Sequence, residues 1–306
     1  MGHSSGWRIA RLWVPGQGPR LGVCEDGTVR VLAAADGAPL DSLQAVAARA
    51  GRTGRPLADV IRGLAASAEP AYEYAALDRA PAPDSPHLLL PVVPPEIWAA
   101  GVTYERSREA RLAETTTAGV YDKVYDAERP ELFLKATPSR CVGPNAAVGI
   151  RADSRWTVPE PELAVVLGEG GEVLGYTLGN DMSARDIEGE NPLYLPQTKI
   201  YRACCSIGPT VLLTEDALER RLGLWCRIDR RGSEVFRGEV STARLRRPIA
   251  DLVTYLRRAN DIPAMTVLLT GTGIVPPDAF ACEEGDMIEI GADEIGVLRN
   301  PAVRVA

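Results

Sequence analysis

The sequence predicts an α+β fold, mainly β, with a small α+β N-terminal domain over residues 1–84 and a larger, β-rich domain over residues 85–306. Three observations predict it. Short apolar runs of strand length, punctuated by Gly and Pro, fill most of the chain after residue 130. Two helical patterns lie close together before residue 66. Between these regions Ala80-Pro81-Ala82-Pro83-Asp84-Ser85-Pro86 reads as a linker, since its prolines supply few backbone donors.

Taken in order, residues 7–14 and 20–33 read as strands, the second folded at Asp26-Gly27, a hairpin-turn pair. Asp41 or Ser42 caps a first helix whose Leu43, Val46, Ala47 and Ala50 share one face. Pro56 opens a second, with Leu57, Val60, Ile61 and Leu64 on its face. Residues 88–93 read as a buried apolar strand. Residues 105–129 are polar and helix-prone around Thr115-Thr116-Thr117-Ala118-Gly119, as expected of a functional loop or lid. Strands punctuated by turns then run through residues 133–150 and 156–178, with a hairpin at residues 168–171. Residues 224–240 give another hairpin, turning at Arg230-Arg231-Gly232. Pro248 starts a late helix with Ile249, Leu252, Val253 and Leu256 on one face. Residues 287–290 and 295–298 close the chain as strands.

Composition narrows the chemistry. The 306 residues carry 34 Lys plus Arg against 41 Asp plus Glu, a formal charge of −7, and 45% are hydrophobic. Such a chain is apolar enough to fold. No block of like charge marks a nucleic-acid surface. No apolar run approaches the roughly 20 residues of a membrane span, and no signal-peptide pattern opens the chain. There are two histidines, His3 and His87. Residues 1–6 read as a tag remnant, and His87 reads as a packing residue at a strand edge. A multi-histidine zinc site or a histidine-based triad would have to use His87. The six cysteines (Cys24, Cys141, Cys204, Cys205, Cys226 and Cys282) show no C-x-x-C spacing and read as reduced, buried thiols of a cytoplasmic protein. Chemistry then falls mainly to carboxylates, lysine and hydroxyls.

Pro159-Glu160-Pro161-Glu162 is the most informative segment. On a strand, residues i and i+2 share a face, so Glu160 and Glu162 project together. Pro161 marks a strand start or edge, because it cannot donate to a ladder. Two adjacent carboxylates repel, and a hard cation such as Mg²⁺ or Mn²⁺ between them removes the repulsion. The hairpin that follows returns the chain to the same end and delivers Asp181, a third ligand. A solvated strand edge is the competing reading of the pair.

Pro159–Val166, Gly179-Asn180-Asp181-Met182-Ser183-Ala184-Arg185-Asp186, Lys199, Ile207-Gly208-Pro209, Leu269-Thr270-Gly271-Thr272-Gly273 and residues 285–301 occur in the order that resembles the fumarylacetoacetate hydrolase family. Leu90-Pro91-Val92 and Gly101-Val102-Thr103-Tyr104 match that family's opening strand. The resemblance implies a mixed β-roll and a divalent cation, Mg²⁺ with Mn²⁺ or Ca²⁺ as alternatives, held by Glu160, Glu162 and Asp181. It also implies small 2-oxo acid or 1,3-dicarbonyl substrates and a homodimer or dimer-based oligomer.

One departure is decisive. The family's hydrolases and decarboxylases place a His, followed three residues on by Glu, after the opening strand. Here Ser107 stands where that His would fall. Residues 101–111, 124–133 and 188–199 instead resemble the 2-keto-3-deoxy-pentonate dehydratase branch. That likeness implies Glu131 and Lys199 as proton-transfer residues. It implies Arg185 and Thr272 as contacts for substrate oxygens, with Ser107 and Arg108 closing from the lid. The expected reaction is loss of water from a 2-keto-3-deoxy sugar acid. A C–C hydrolase or oxo-acid decarboxylase that has replaced its His is the first alternative, and a metal-dependent binder without turnover is the second.

Overall fold

The computed structural model describes residues 6–68, 70–114, 124–213 and 221–306. Two sheets dominate, with helices at their margins. The larger sheet runs in the order Pro70–Glu73, Thr28–Val31, Gly18–Glu25, Trp7–Val14, Cys205–Leu213, Val173–Asp181, Pro161–Leu167, Val267–Thr272, Ile97–Gly101, Glu131–Ala136. The short strands His87–Leu88 and Cys141–Val142 pair onto it from the side. The second sheet has the order Ser233–Ser241, Gly223–Arg230, Met287–Ala292, Gly296–Val305, Val148–Arg151. The architecture is α+β and mainly β, as the alternation of short apolar runs requires.

The sheet continues across the Pro-rich stretch: Trp7–Val14 pairs antiparallel with Cys205–Leu213. Alternate residues of Trp7–Val14 serve different sides. Ile9 joins Leu21, Val23 and the apolar faces of the two N-terminal helices. Ala10, Leu12 and Val14 pack with Val29, Leu77 and Leu88. The expected caps are present: Ser42 Oγ accepts from Ala45 N–H before Leu43–Thr53, and Pro56 precedes Leu57–Ala65. Asp26 and Gly27 both have positive φ, the backbone of a tight hairpin turn.

Residues 88–93 depart from expectation. Pairing there is confined to His87–Leu88. Pro91, Pro94 and Pro95 cannot donate to a ladder, so the paired strand begins at Ile97. Residues 105–114 form the helix expected at the start of the polar segment; Thr115-Thr116-Thr117-Ala118-Gly119 lies outside the described residues. Among the described residues, no helix is long and apolar enough to cross a membrane.

Candidate metal centre and active site

The hairpin of Pro161–Leu167 with Val173–Asp181 builds the centre. Pro161 faces Asn180 and Glu162 faces Gly179. Just beyond the strand, Glu160 and Asp181 exchange reciprocal backbone hydrogen bonds of 3.1 and 2.9 Å. Residues far apart in sequence thus stand opposite each other, with Glu162 two positions along the same face. Glu160, Glu162 and Asp181 are all buried, and one carboxylate oxygen from each lies within 4.8 Å of the others. Burial, with Asp181 and Glu160 nearby, pushes the Glu162 carboxyl well above the usual range, against the pull of Lys199.

The third strand of this wall is Val267–Thr272. Gly271 N–H donates to Glu162 Oε2 at 2.5 Å. Its φ of 94° is in glycine territory, and a Cβ there would fall 1.9 Å from Thr103 Oγ1. A side chain at 271 would therefore displace the backbone donor that holds Glu162. Val102, which also lines the cavity, has φ 52°, a strained region for a β-branched residue.

Lys199 ends the short helix Leu195–Lys199 and is itself buried. Its Nζ lies 2.6 Å from Glu160 Oε2, 3.1 Å from Asp181 Oδ2 and 2.5 Å from Ser183 Oγ. Arg185, at the start of Arg185–Glu190, donates to Glu160 Oε1 at 3.2 Å. Glu131 begins Glu131–Ala136 directly opposite Gly101. A Cβ on Gly101 would fall 2.0 Å from Glu131 Oε2, so the glycine lets that carboxylate lie across the backbone. Glu131, Lys199, Arg185, Thr272 and Ser107 all line the cavity that contains the three acids.

Two of these line it without offering a plainly available hydroxyl. Thr272 Oγ1 donates to the Pro161 carbonyl at 2.8 Å and accepts from Ile274 N–H at 3.2 Å. Ser107 Oγ donates to the Tyr104 carbonyl at 2.8 Å. Arg108 is not part of the lining; its guanidinium lies 5.3 Å from the Tyr125 ring centre.

The structure adds residues that sequence reasoning missed. Glu188 and Phe133 line the cavity, and Ser183 binds Lys199. Lys135 has no exposed surface, and its Nζ lies 2.6 Å from Asp181 Oδ1. Burial favours the neutral amine, but the charge and hydrogen bond of Asp181, together with Cys204 and Cys205, raise the Lys135 pKa above the ordinary lysine value. A signal for Lys135 was present: the chain has three lysines, Lys123, Lys135 and Lys199. Glu131, Phe133 and Lys135 also share one strand face.

The donor set fits a hard dication. Glu131, Glu160, Glu162, Asp181 and Glu188 face Lys199 and Arg185, with Lys135 behind Asp181. Five carboxylates against three cations leave a formal charge of −2, which a divalent ion neutralises. Glu160, Glu162 and Asp181 all offer oxygen, the preference of Mg²⁺.

A family model described as fumarylacetoacetate (FAA) hydrolase C-terminal matches residues 96–303. The chain belongs to the fumarylacetoacetate hydrolase family. Within that family it is 49% identical over 220 residues to a probable 2-keto-3-deoxyxylonate dehydratase of Haloferax volcanii, a match covering 72% of this chain and 76% of the relative. It is 49% identical over 218 residues to the 2-dehydro-3-deoxy-D-arabinonate dehydratase of Saccharolobus solfataricus, covering 69% and 72% of the two chains. Among solved structures of the family, it superposes on 2-keto-3-deoxy-D-arabinonate dehydratase in apo form with a TM-score of 0.83 and 36% identity, over 98% of this chain and 99% of that one. The same enzyme complexed with magnesium and 2,5-dioxopentanoate gives 0.82 and 35%, over 97% and 99%.

Proposed function

We propose that this chain is a Mg²⁺-dependent dehydratase that removes water from a 2-keto-3-deoxy sugar acid, converting a 2-keto-3-deoxypentonate to 2,5-dioxopentanoate. The observation that carries the reading is the buried Glu160–Glu162–Asp181 cluster with Lys199 and Glu131 on the same cavity. The two dehydratase relatives and the magnesium complex support it.

Glu160, Glu162 and Asp181 would hold the ion. When bound, Mg²⁺ supplies Lewis-acid polarisation of the C2 ketone, which acidifies the C3 protons. Lys199 and Glu131 then divide two tasks: one takes a proton from C3, and the other gives a proton to the C4 hydroxyl as it leaves as water. The remaining unsaturated alcohol needs one more shift. A proton moves from C5 to C3, and tautomerisation of the C5 enol gives the aldehyde. Arg185, fixed by its bond to Glu160, supplies a positive neighbour for the substrate carboxylate. The buried cavity limits water access, which favours elimination over hydrolysis. Ser107, placed where the water-activating branches carry His, accords with that outcome.

The test is product analysis after incubating the purified chain with 2-keto-3-deoxypentonate and Mg²⁺. One aldehyde per substrate, dependent on added Mg²⁺, is expected. In a parallel incubation with an acylpyruvate or another 1,3-dicarbonyl acid, release of two carboxylic acids, or of CO₂, would establish the hydrolase or decarboxylase alternative.

A further inference from the structure

Lys135 is a buried charge that the proposed proton transfers leave unused. It has no exposed surface. Its Nζ lies 2.6 Å from Asp181 Oδ1 and donates to the carbonyls of Met182, at 2.9 Å, and Lys199, at 2.6 Å. An ammonium has three N–H donors, so these acceptors saturate it. They belong to two different elements. Asp181 and Met182 stand at the end of the strand Val173–Asp181, whereas Lys199 ends the helix Leu195–Lys199. One ammonium therefore ties the strand carrying a metal ligand to the helix carrying an acid–base amine. It also divides Asp181: Oδ1 belongs to Lys135, and Oδ2 faces Lys199 Nζ at 3.1 Å.

We propose that Lys135 is a positioning residue, gripping Asp181 Oδ1 and the Lys199 carbonyl together so that metal ligation and placement of the Lys199 amine depend on one ammonium. It touches neither substrate nor ion. The inference rests on the reading that Glu160, Glu162 and Asp181 hold Mg²⁺. Groups that orient metal ligands from behind act on affinity as well as on rate, with a cost of about 10- to 100-fold in metal affinity when removed.

The test is calorimetric titration of Mg²⁺ into the wild-type and Lys135→Met chains, with the thermal midpoint of each recorded without metal. The expected result is a folded variant whose Kd for Mg²⁺ rises about 10- to 100-fold and whose kcat falls more than its KM rises. The direction discriminates. Coulomb's law alone says that removing a positive neighbour tightens dication binding, so an unchanged or lower Kd in folded Lys135→Met overturns the proposal. A lowered thermal midpoint with wild-type Kd overturns it too, because that is the signature of a purely structural lysine. A wild-type chain that binds no Mg²⁺ instead overturns the underlying functional reading. If Lys135→Met does not fold, Lys135→Gln carries the same measurement. If neither folds, ¹⁵Nζ-labelled wild-type protein decides, since the chain's three lysines give few signals. A solvent-shielded Lys135 ammonium resonance that moves with the calorimetric Mg²⁺ midpoint supports the proposal, and one indifferent to saturating Mg²⁺ overturns it.

Discussion

Two antiparallel hairpins of this protein, one in each large sheet, have the same pairing geometry and differ in what they do with charge. Gly223–Arg230 with Ser233–Ser241 carries most of its charges outward, where Arg237 pairs with Glu234 and Arg227 with Asp229. Pro161–Leu167 with Val173–Asp181 buries every residue of its first strand and sets three carboxylates against one another. An outward pair exchanges water for a partner of similar worth and contributes little. The inward cluster has no water to return to, so it demands cations: Lys199, Lys135, Arg185 and, in the proposed function, a dication. The lesson is that strand geometry supplies proximity to both hairpins, while burial alone converts proximity into chemistry.

The sharpest way to break this contrast is at the three buried acids. Glu160→Ala should abolish Mg²⁺ binding in calorimetry and lower kcat/KM by about 10³-fold or more, the scale of lost electrostatic stabilisation. Wild-type turnover surviving in the variant, or in chelator, would remove the metal from the reaction. Next come Lys199→Met and Glu131→Gln, each expected to lower kcat about 10²- to 10⁴-fold while still binding Mg²⁺. Normal turnover in both would show that other groups carry the protons.

A smaller effect follows from Glu162. Its carboxyl is raised well above the usual range in the metal-free protein, so the folded chain holds a proton that the unfolded chain has already released. As pH climbs from the ordinary carboxylate value towards the raised one, the metal-free fold therefore loses stability. Mg²⁺ competes with that proton, so its affinity should increase over the same window. Thermal melts at pH 5 and pH 8, with and without Mg²⁺, should show the larger metal-induced gain at pH 8. Least of all, Arg237→Ala on the outward hairpin should leave both turnover and Mg²⁺ affinity unchanged. A measurable loss of either would show that the second sheet is coupled to the site.

The inward hairpin was the legible part of the sequence. Alternation placed Glu160 and Glu162 on one face, and the Gly-rich turn at residues 168–171 returned Asp181 beside them. The scarcity of histidine directed attention to oxygen ligands, and all six cysteines are indeed free and buried. Lys135 was harder to see. A lysine ending the run Glu131–Ala136 reads as a solvated edge unless the partners that cover it are known, and those partners lie at residues 181, 182 and 199. Residues 88–93 misled because their hydrophobicity says buried while Pro91, with Pro94 and Pro95 just beyond, denies them a ladder. Arg108, expected to close from the lid, has its guanidinium near the Tyr125 ring. A contact between residues that far apart in sequence is not a local property. The pairing of Trp7–Val14 with Cys205–Leu213 was invisible for the same reason: strand partners two hundred residues apart leave no periodic trace.

That last pairing has a practical consequence for anyone wishing to trim the gene. Cutting the chain at the Pro-rich stretch would strip Trp7–Val14 from Cys205–Leu213 and uncover a row of amide and carbonyl groups on an apolar strand. The uncovered strand is the immediate neighbour of the one that ends in Asp181. The edge so exposed is residues 211–213, level with Tyr176 and at the far end of the strand from Cys205, the partner of Asp181. Raw sheet edges of this kind recruit other chains, so a shortened chain would tend to stick to itself at that end while its acidic cluster stayed covered.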